Sequence, residues 1–282
     1  MSDGLMSNRS TSYRDCLQGN RFGVDRFDRE VLLGHVIGRD RAWIWSHLDD
    51  PIAPVQLARL QELLRLRESG QPIAYLLGYR EFYGRLFQVS PAVLIPRPET
   101  ELLVELALGL LPEQGVRAID VGTGSGAIGL TLAAERPGWA ITASDLSSAA
   151  LEVADINRHQ LGLEGVELIQ GDLLDGEAIP AVSLVISNPP YVAQDDPHLD
   201  SGDLRFEPRI ALACGPDGLS LIRKLIEQAF RLLDPGGWIL LEHGHDQAEA
   251  VRSLLRAEGF ESVRSWTDLA RIERVSGGHL PS

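Results

Sequence analysis

Apolar residues recur along the chain at two different periods, and the change of period divides the sequence. From about Tyr13 to Gly70 the spacing is helical throughout. Val31, Leu32, Leu33 and Val36 share a face over residues 28–36, and Asp40 stands where it can cap a short helix carrying Trp43 and Ile44. Pro54 suits the first turn of a helix carrying Leu57, Leu60, Leu63 and Leu64, stopped at Gly70. Residues 1–70 are therefore expected to form a small helical domain with a frayed start before Tyr13, and its expected role is to grip substrate beside a cleft. Over residues 71–96 the pattern becomes Tyr79, Phe82, Tyr83, Leu86, Phe87, Val89 and Val93, punctuated by Gly78 and Gly84, which predicts a β-hairpin linker.

Residues 97–282 read as one large domain. Pro98 opens a helix through Leu102, Leu103, Leu106 and Leu110. Short apolar runs then alternate with helical spacings: strands over 117–121, 140–144, 166–170, 182–187 and 238–242, helices over 127–135, 147–160, 218–233 and 246–258. Residues 260–266 and 272–275 form a closing antiparallel pair. This alternation predicts an α/β fold, a Rossmann-like parallel sheet with helices on both faces. The loop from Asn188 to about Pro216 is long for a compact domain, as a lid or substrate surface would be.

Composition narrows the classes of function. The 282 residues, 44% hydrophobic and 23% charged, are ordinary for a globular protein. A net charge of −14, from 26 Lys+Arg against 40 Asp+Glu, disfavours direct nucleic-acid binding through phosphate neutralisation. Cys16 and Cys214 stand far apart, which fits reduced, inert thiols and a cytoplasmic location. No apolar run approaches a membrane span, and no secretory signal is evident.

Two stretches carry candidate chemistry. Asp120-Val121-Gly122-Thr123-Gly124-Ser125-Gly126 lies at the first strand-to-helix turn, where glycines admit close backbone approach to a ligand. Gly122-x-Gly124-x-x-Ala127 also satisfies a dinucleotide fingerprint, so a dehydrogenase stands as an alternative. Asp145, ending the next strand, suits a ribose diol in either case. Asp120 beside the loop and the third glycine favour a cationic cofactor, S-adenosylmethionine, and Asp172 adds a carboxylate where the adenine would lie; capping roles for Asp145 and Asp172 stay open. The second stretch is Asn188-Pro189-Pro190-Tyr191 at the carboxyl end of the 182–187 strand. Its stiff backbone, the Asn188 side-chain oxygen, the Pro189 carbonyl and the Tyr191 ring could clamp a planar NH2-bearing group. A plain proline turn is the other reading. Arg97, between two prolines, either pairs with Glu99 or Glu101 on the surface or faces the cleft. His243-x-His245 lacks a third ligand and reads as solvent-facing loop, so no metal is expected.

These stretches resemble class I S-adenosylmethionine-dependent methyltransferases. With Gln71-Pro72-Ile73-Ala74-Tyr75, Arg80-Glu81-Phe82-Tyr83-Gly84, Leu94-Ile95-Pro96-Arg97-Pro98-Glu99-Thr100-Glu101 and Arg205-Phe206-Glu207-Pro208, the chain is similar to the HemK/PrmC family, the glutamine-N5 methyltransferases of peptide chain release factors. The resemblance runs from about Asp28 to the carboxyl end. It implies a seven-stranded sheet with its last strand antiparallel. It implies cofactor binding by Gly122, Thr123, Gly124, Ser125, Gly126 and Asp145, with Asn188 at the border of cofactor and substrate. The glutamine of a Gly-Gly-Gln loop would be received at Asn188, Pro189, Pro190 and Tyr191, with Arg97 nearby. Leu173 departs from the pattern, standing where some relatives place a tryptophan beside the adenine. A ribosomal-protein glutamine methyltransferase shares every catalytic motif, and a DNA or RNA amino-methyltransferase could use the same clamp. The intact Asn188 to Tyr191 stretch argues against a non-enzymatic sensor of S-adenosylmethionine or a dinucleotide, and a dehydrogenase would leave the clamp without a purpose.

Overall fold

The computed structural model describes residues 11–18, 22–175 and 179–281. The expected fraying before Tyr13 falls largely on residues 1–10 and lies outside the described residues. The chain forms two compact units that meet in sequence between Gly78 and Tyr79.

The first unit is helical: α1 Tyr13–Gln18, α2 Arg26–Ile37, α3 Arg41–Ser46, α4 Pro54–Glu68 and α5 Ile73–Leu77. Asp25 caps α2 and Asp40 caps α3, their carboxylates accepting from the main-chain N–H groups of Asp28 and Trp43. Leu32, Leu33, Ile44, Leu60 and Leu63 are almost wholly buried. The Arg67–Asp28 pair, at 2.6 Å, ties α4 to α2. Residues 71–78, expected within the hairpin linker, are a correction: Ile73–Leu77 is a helical turn that closes on Gly78 in the left-handed region.

The second unit opens with a short antiparallel hairpin, β1 Tyr79–Phe82 and β2 Arg85–Gln88. It continues through α6 Glu101–Leu110, β3 Arg117–Val121, α7 Ala127–Glu135, β4 Ala140–Asp145, α8 Ser148–Gln160, β5 Glu167–Gln170, β6 Val182–Ser187, α9 Ser220–Leu232, β7 Leu233–Glu242, α10 Ala248–Glu258, β8 Glu261–Thr267 and β9 Glu273–His279. The seven-stranded sheet has the order β5-β4-β3-β6-β7-β9-β8, and β9 runs antiparallel to both neighbours. Alternating side chains feed two cores. Leu184, Ile186 and Leu240 face one, with Leu103 and Leu130 of the covering helices; Ile119, Val121, Val185, Ile239 and Leu241 face the other, with Ile222, Leu225 and Val251. Burial on both faces explains why these strands are continuous apolar runs. The order reverses between β3 and β6, which opens a crevice beyond their carboxyl ends. Among the described residues no helix is long and apolar enough to cross a membrane.

Candidate active site

The glycine-rich turn leaves β3 with Gly122 and Gly124 at φ 71° and 56°, a region alanine adopts only with strain. The Gly122 and Thr123 N–H groups donate to the Ser144 carbonyl at 2.8 and 2.9 Å, and the Gly124 N–H donates to Asp145 Oδ2 at 2.9 Å. Asp145 Oδ1 accepts from the Ser147 N–H, while Ser147 itself caps α8. Burial raises the Asp145 carboxyl above its ordinary range, and the bonds from Ser147 and Gly124 oppose that shift.

Asp120 has a different place from the one expected. Its side chain is 1% exposed, and Oδ2 accepts from Thr123 Oγ1 at 2.6 Å and from the Gly129 N–H at 2.9 Å. It braces the turn from behind and is not among the residues that line the cavity beyond the strand ends. Burial pushes its carboxyl up to about 6 against those two bonds.

A cavity beyond the strand ends is lined by Gly122, Thr123, Gly124, Ser125, Asp145, Asp172, Leu173, Arg97, Asn188 and Pro190. Gly126, Pro189 and Tyr191 are not among its lining residues: Gly126 packs against Leu130, and Pro189 is buried. Asp172 Oδ2 accepts from Lys224 Nζ at 2.8 Å, and Lys224 does not line the cavity, so part of this carboxylate is engaged outside it. Leu173 holds φ 58°, a strained conformation for a leucine that presents this residue at the wall.

Opposite the glycines, Ser187 Oγ donates to the Val121 carbonyl at 2.6 Å and joins the ends of β6 and β3. Asn188 follows, its Nδ2 donating to Thr100 Oγ1 at 3.1 Å. The Tyr191 hydroxyl donates to Glu242 Oε1 at 3.3 Å, and the Tyr191 carbonyl accepts from Gln247 Nε2 at 3.0 Å. Burial and the nearby Glu242 push the Tyr191 phenol upward. Thr100 and Glu242 were not among the expected residues. Both are almost wholly buried; Thr100 lines the cavity, Glu242 does not, and burial raises the Glu242 carboxyl to about 7.

Arg97 lines the cavity and pairs with Glu207 rather than with Glu99 or Glu101. The fully buried Glu207 side chain also accepts from the Ile95 N–H at 3.0 Å. This explains the Arg-Phe-Glu-Pro stretch: it pins the long loop to the segment before α6. The loop is further held by a bridge between Val192 and Ala213 and folds through short 3-10 turns at Pro197–Asp200, Leu204–Phe206 and Arg209–Ala211. His243 is a second correction. It is wholly buried, with Nε2 2.7 Å from Ser276 Oγ, while His245 is exposed; no cluster able to hold a metal occurs among the described residues.

The PrmC N-terminal domain family matches residues 11–78, and the methyltransferase small domain family matches residues 99–203. A release factor glutamine methyltransferase from Bordetella pertussis is 49% identical over 262 residues, covering 92% of this chain and 96% of the relative. Another from Neisseria gonorrhoeae is 51% identical over 258 residues, covering 90% and 93%. The chain belongs to the release factor glutamine methyltransferase family. A crystal structure of a methyltransferase from Pyrococcus furiosus shares the fold of this family member, with a TM-score of 0.55 at 18% identity over 82% of this chain and 100% of that one. The cavity suits a nucleoside-bearing methyl donor: Gly122 and Gly124 leave open space where a Cβ would stand, and Asp145 lines the same wall.

Proposed function

We propose that the protein uses S-adenosylmethionine to methylate the side-chain amide nitrogen of the glutamine in the Gly-Gly-Gln loop of peptide chain release factors, in the cytoplasm. The carrying observation is the orientation of Asn188. With Nδ2 given to Thr100, its Oδ1 is left as an acceptor at the wall of the cavity that contains the glycine turn and Asp145.

Bound S-adenosylmethionine would supply an electrophilic methyl group; Gly122 to Ser125 and Asp145 would hold it, with Leu173 beside the base. The chain's own residues meet the remaining difficulty. An amide nitrogen is a poor nucleophile because its lone pair is delocalised, and no side chain deprotonates it at neutral pH, so a general base is not needed to explain the site. Asn188 Oδ1 and the Pro189 carbonyl would each accept one N–H of the glutamine. They hold the nitrogen in place and favour the positive charge that develops on it. Tyr191, anchored to Glu242 and Gln247, stiffens the end of this clamp.

The test is methyl transfer from labelled S-adenosylmethionine to a release factor, with ribosomal proteins and DNA alongside. Label is expected on the release factor and reduced about a hundredfold by Asn188→Ala, with a smaller change in cofactor affinity. Label confined to ribosomal protein or DNA overturns the substrate assignment.

A further inference from the structure

Two walls of the cavity are bonded to one buried side chain. Ser125 belongs to the glycine turn and lines the cavity itself; Gln88 ends β2, and the chain that leaves it brings Ala92, Val93 and Leu94 to the lining. Between them stands Asn157 of α8, wholly buried. Its Oδ1 accepts from the Gln88 N–H at 2.6 Å, and its Nδ2 donates to the Gln88 carbonyl at 3.0 Å and to the Ser125 carbonyl at 2.8 Å. Both amide protons and the amide oxygen are thus engaged by the main chain.

The helix brings this amide to the turn. Ala150, Ala154 and Asn157 stand at i, i+4 and i+7, so they share one face of α8. Ala150 lines the cavity, and the Ala154 Cβ lies 3.5 Å from where a Cβ on Gly126 would stand. Two small residues let the helix approach the glycine turn closely, and the third reaches across to it. The Ser125 carbonyl needs that partner. Its counterpart in a continued helix would be the Gly129 N–H, four residues on, which donates to Asp120 Oδ2.

An amide bonded to Gln88 alone would only fasten the hairpin. Bonded to Ser125 as well, it sets the distance between the turn and the segment that follows β2. We propose that Asn157 is a positioning residue for the cofactor, holding these two walls of the cavity at the separation that S-adenosylmethionine fits; this rests on the cofactor use proposed above. A carboxamide meets all three demands at once. An ionised carboxylate has acceptors only, and a protonated one has a single proton for two carbonyls.

The test compares the full-length protein with its Asn157→Asp and Asn157→Ser variants. Leu255→Ala is the control, a change at a wholly buried position in the second core that does not line the cavity. Calorimetric titration with S-adenosylmethionine gives the dissociation constant and, through the stoichiometry, the fraction of competent protein; initial rates with a release factor give kcat and the cofactor KM. Both Asn157 variants should bind the cofactor about tenfold or more weakly and raise its KM in step, with stoichiometry unchanged and kcat at saturation within about threefold. Leu255→Ala should keep the dissociation constant within about twofold even where urea denaturation shows a loss of stability. A role in folding alone predicts the opposite split: stoichiometry and kcat fall while the dissociation constant and KM stay as in the wild type. That split overturns the inference, as does cofactor affinity within about twofold of wild type in Asn157→Asp, or failure of both variants to fold. A wild type that binds no S-adenosylmethionine overturns the proposed function itself.

Discussion

Gly124 and Gly126 stand two residues apart in the same turn, yet alanine should fail at them for different reasons. At Gly126, φ is 84° and an added Cβ would lie 2.6 Å from Leu130 Cδ1 and 3.1 Å from Leu130 Cγ, in a fully buried side chain. The left-handed backbone costs roughly 1–2 kcal/mol for alanine. Forcing Leu130 to repack costs about 1–3 kcal/mol more, giving a loss of roughly 2–5 kcal/mol. At Gly124, φ is 56° and no atom lies within 4 Å of the added Cβ, so only the backbone cost of roughly 1–2 kcal/mol remains. Gly124 lines the cavity, whereas Gly126 does not. Gly124→Ala should therefore weaken cofactor binding by about tenfold or more, equivalent to roughly 1.4 kcal/mol. Urea denaturation of both variants, with calorimetric titration of S-adenosylmethionine, separates the effects. Equal stability losses, or a larger loss for Gly124→Ala, would refute this division of roles.

Two further outcomes follow from buried charge. Burial raises Asp120 from 3.8 to about 6 in the folded protein, so its contribution to stability is fully present below about pH 4 and lost as the pH rises through 6. Over that window wild-type stability should fall by about 3 kcal/mol from this group; Asp120→Asn, which keeps an oxygen for Thr123 and Gly129, should lack that fall in urea denaturation at pH 4 and 7. Arg97→Ala leaves the buried Glu207 with the Ile95 N–H but without its cation, and should cost about 3 kcal/mol by the same method; a loss under about 0.5 kcal/mol would show that the pair does not anchor the long loop.

The sheet was legible because its strands are buried on both faces and read as apolar runs, and the two turns at the ends of β3 and β6 carried their motifs with them. Asp120 was misread because a carboxylate at a strand end can point either way. Strand parity, with Ala118 in one core and Ile119 and Val121 in the other, places it inside. Helix α5 escaped notice because five residues are too few to show a helical period between hairpin-like signals. Thr100, Glu207 and Glu242 carried no local signal of their position. Thr100 meets Asn188 across 88 residues, Glu207 meets Arg97 across 110, and Glu242 meets Tyr191 across 51. His243 looked like loop because its partner, Ser276, lies on β9, which only the folded sheet brings beside it.

The central claim is that the clamp beside the cavity selects a glutamine side-chain amide. Tandem mass spectrometry of a release factor methylated by this protein locates the added methyl group most directly. One methyl is expected on the side-chain nitrogen of the Gly-Gly-Gln glutamine, reduced about a hundredfold when Asn188→Ala replaces the wild type. A methyl on any other residue, or modification that survives Asn188→Ala undiminished, would contradict it.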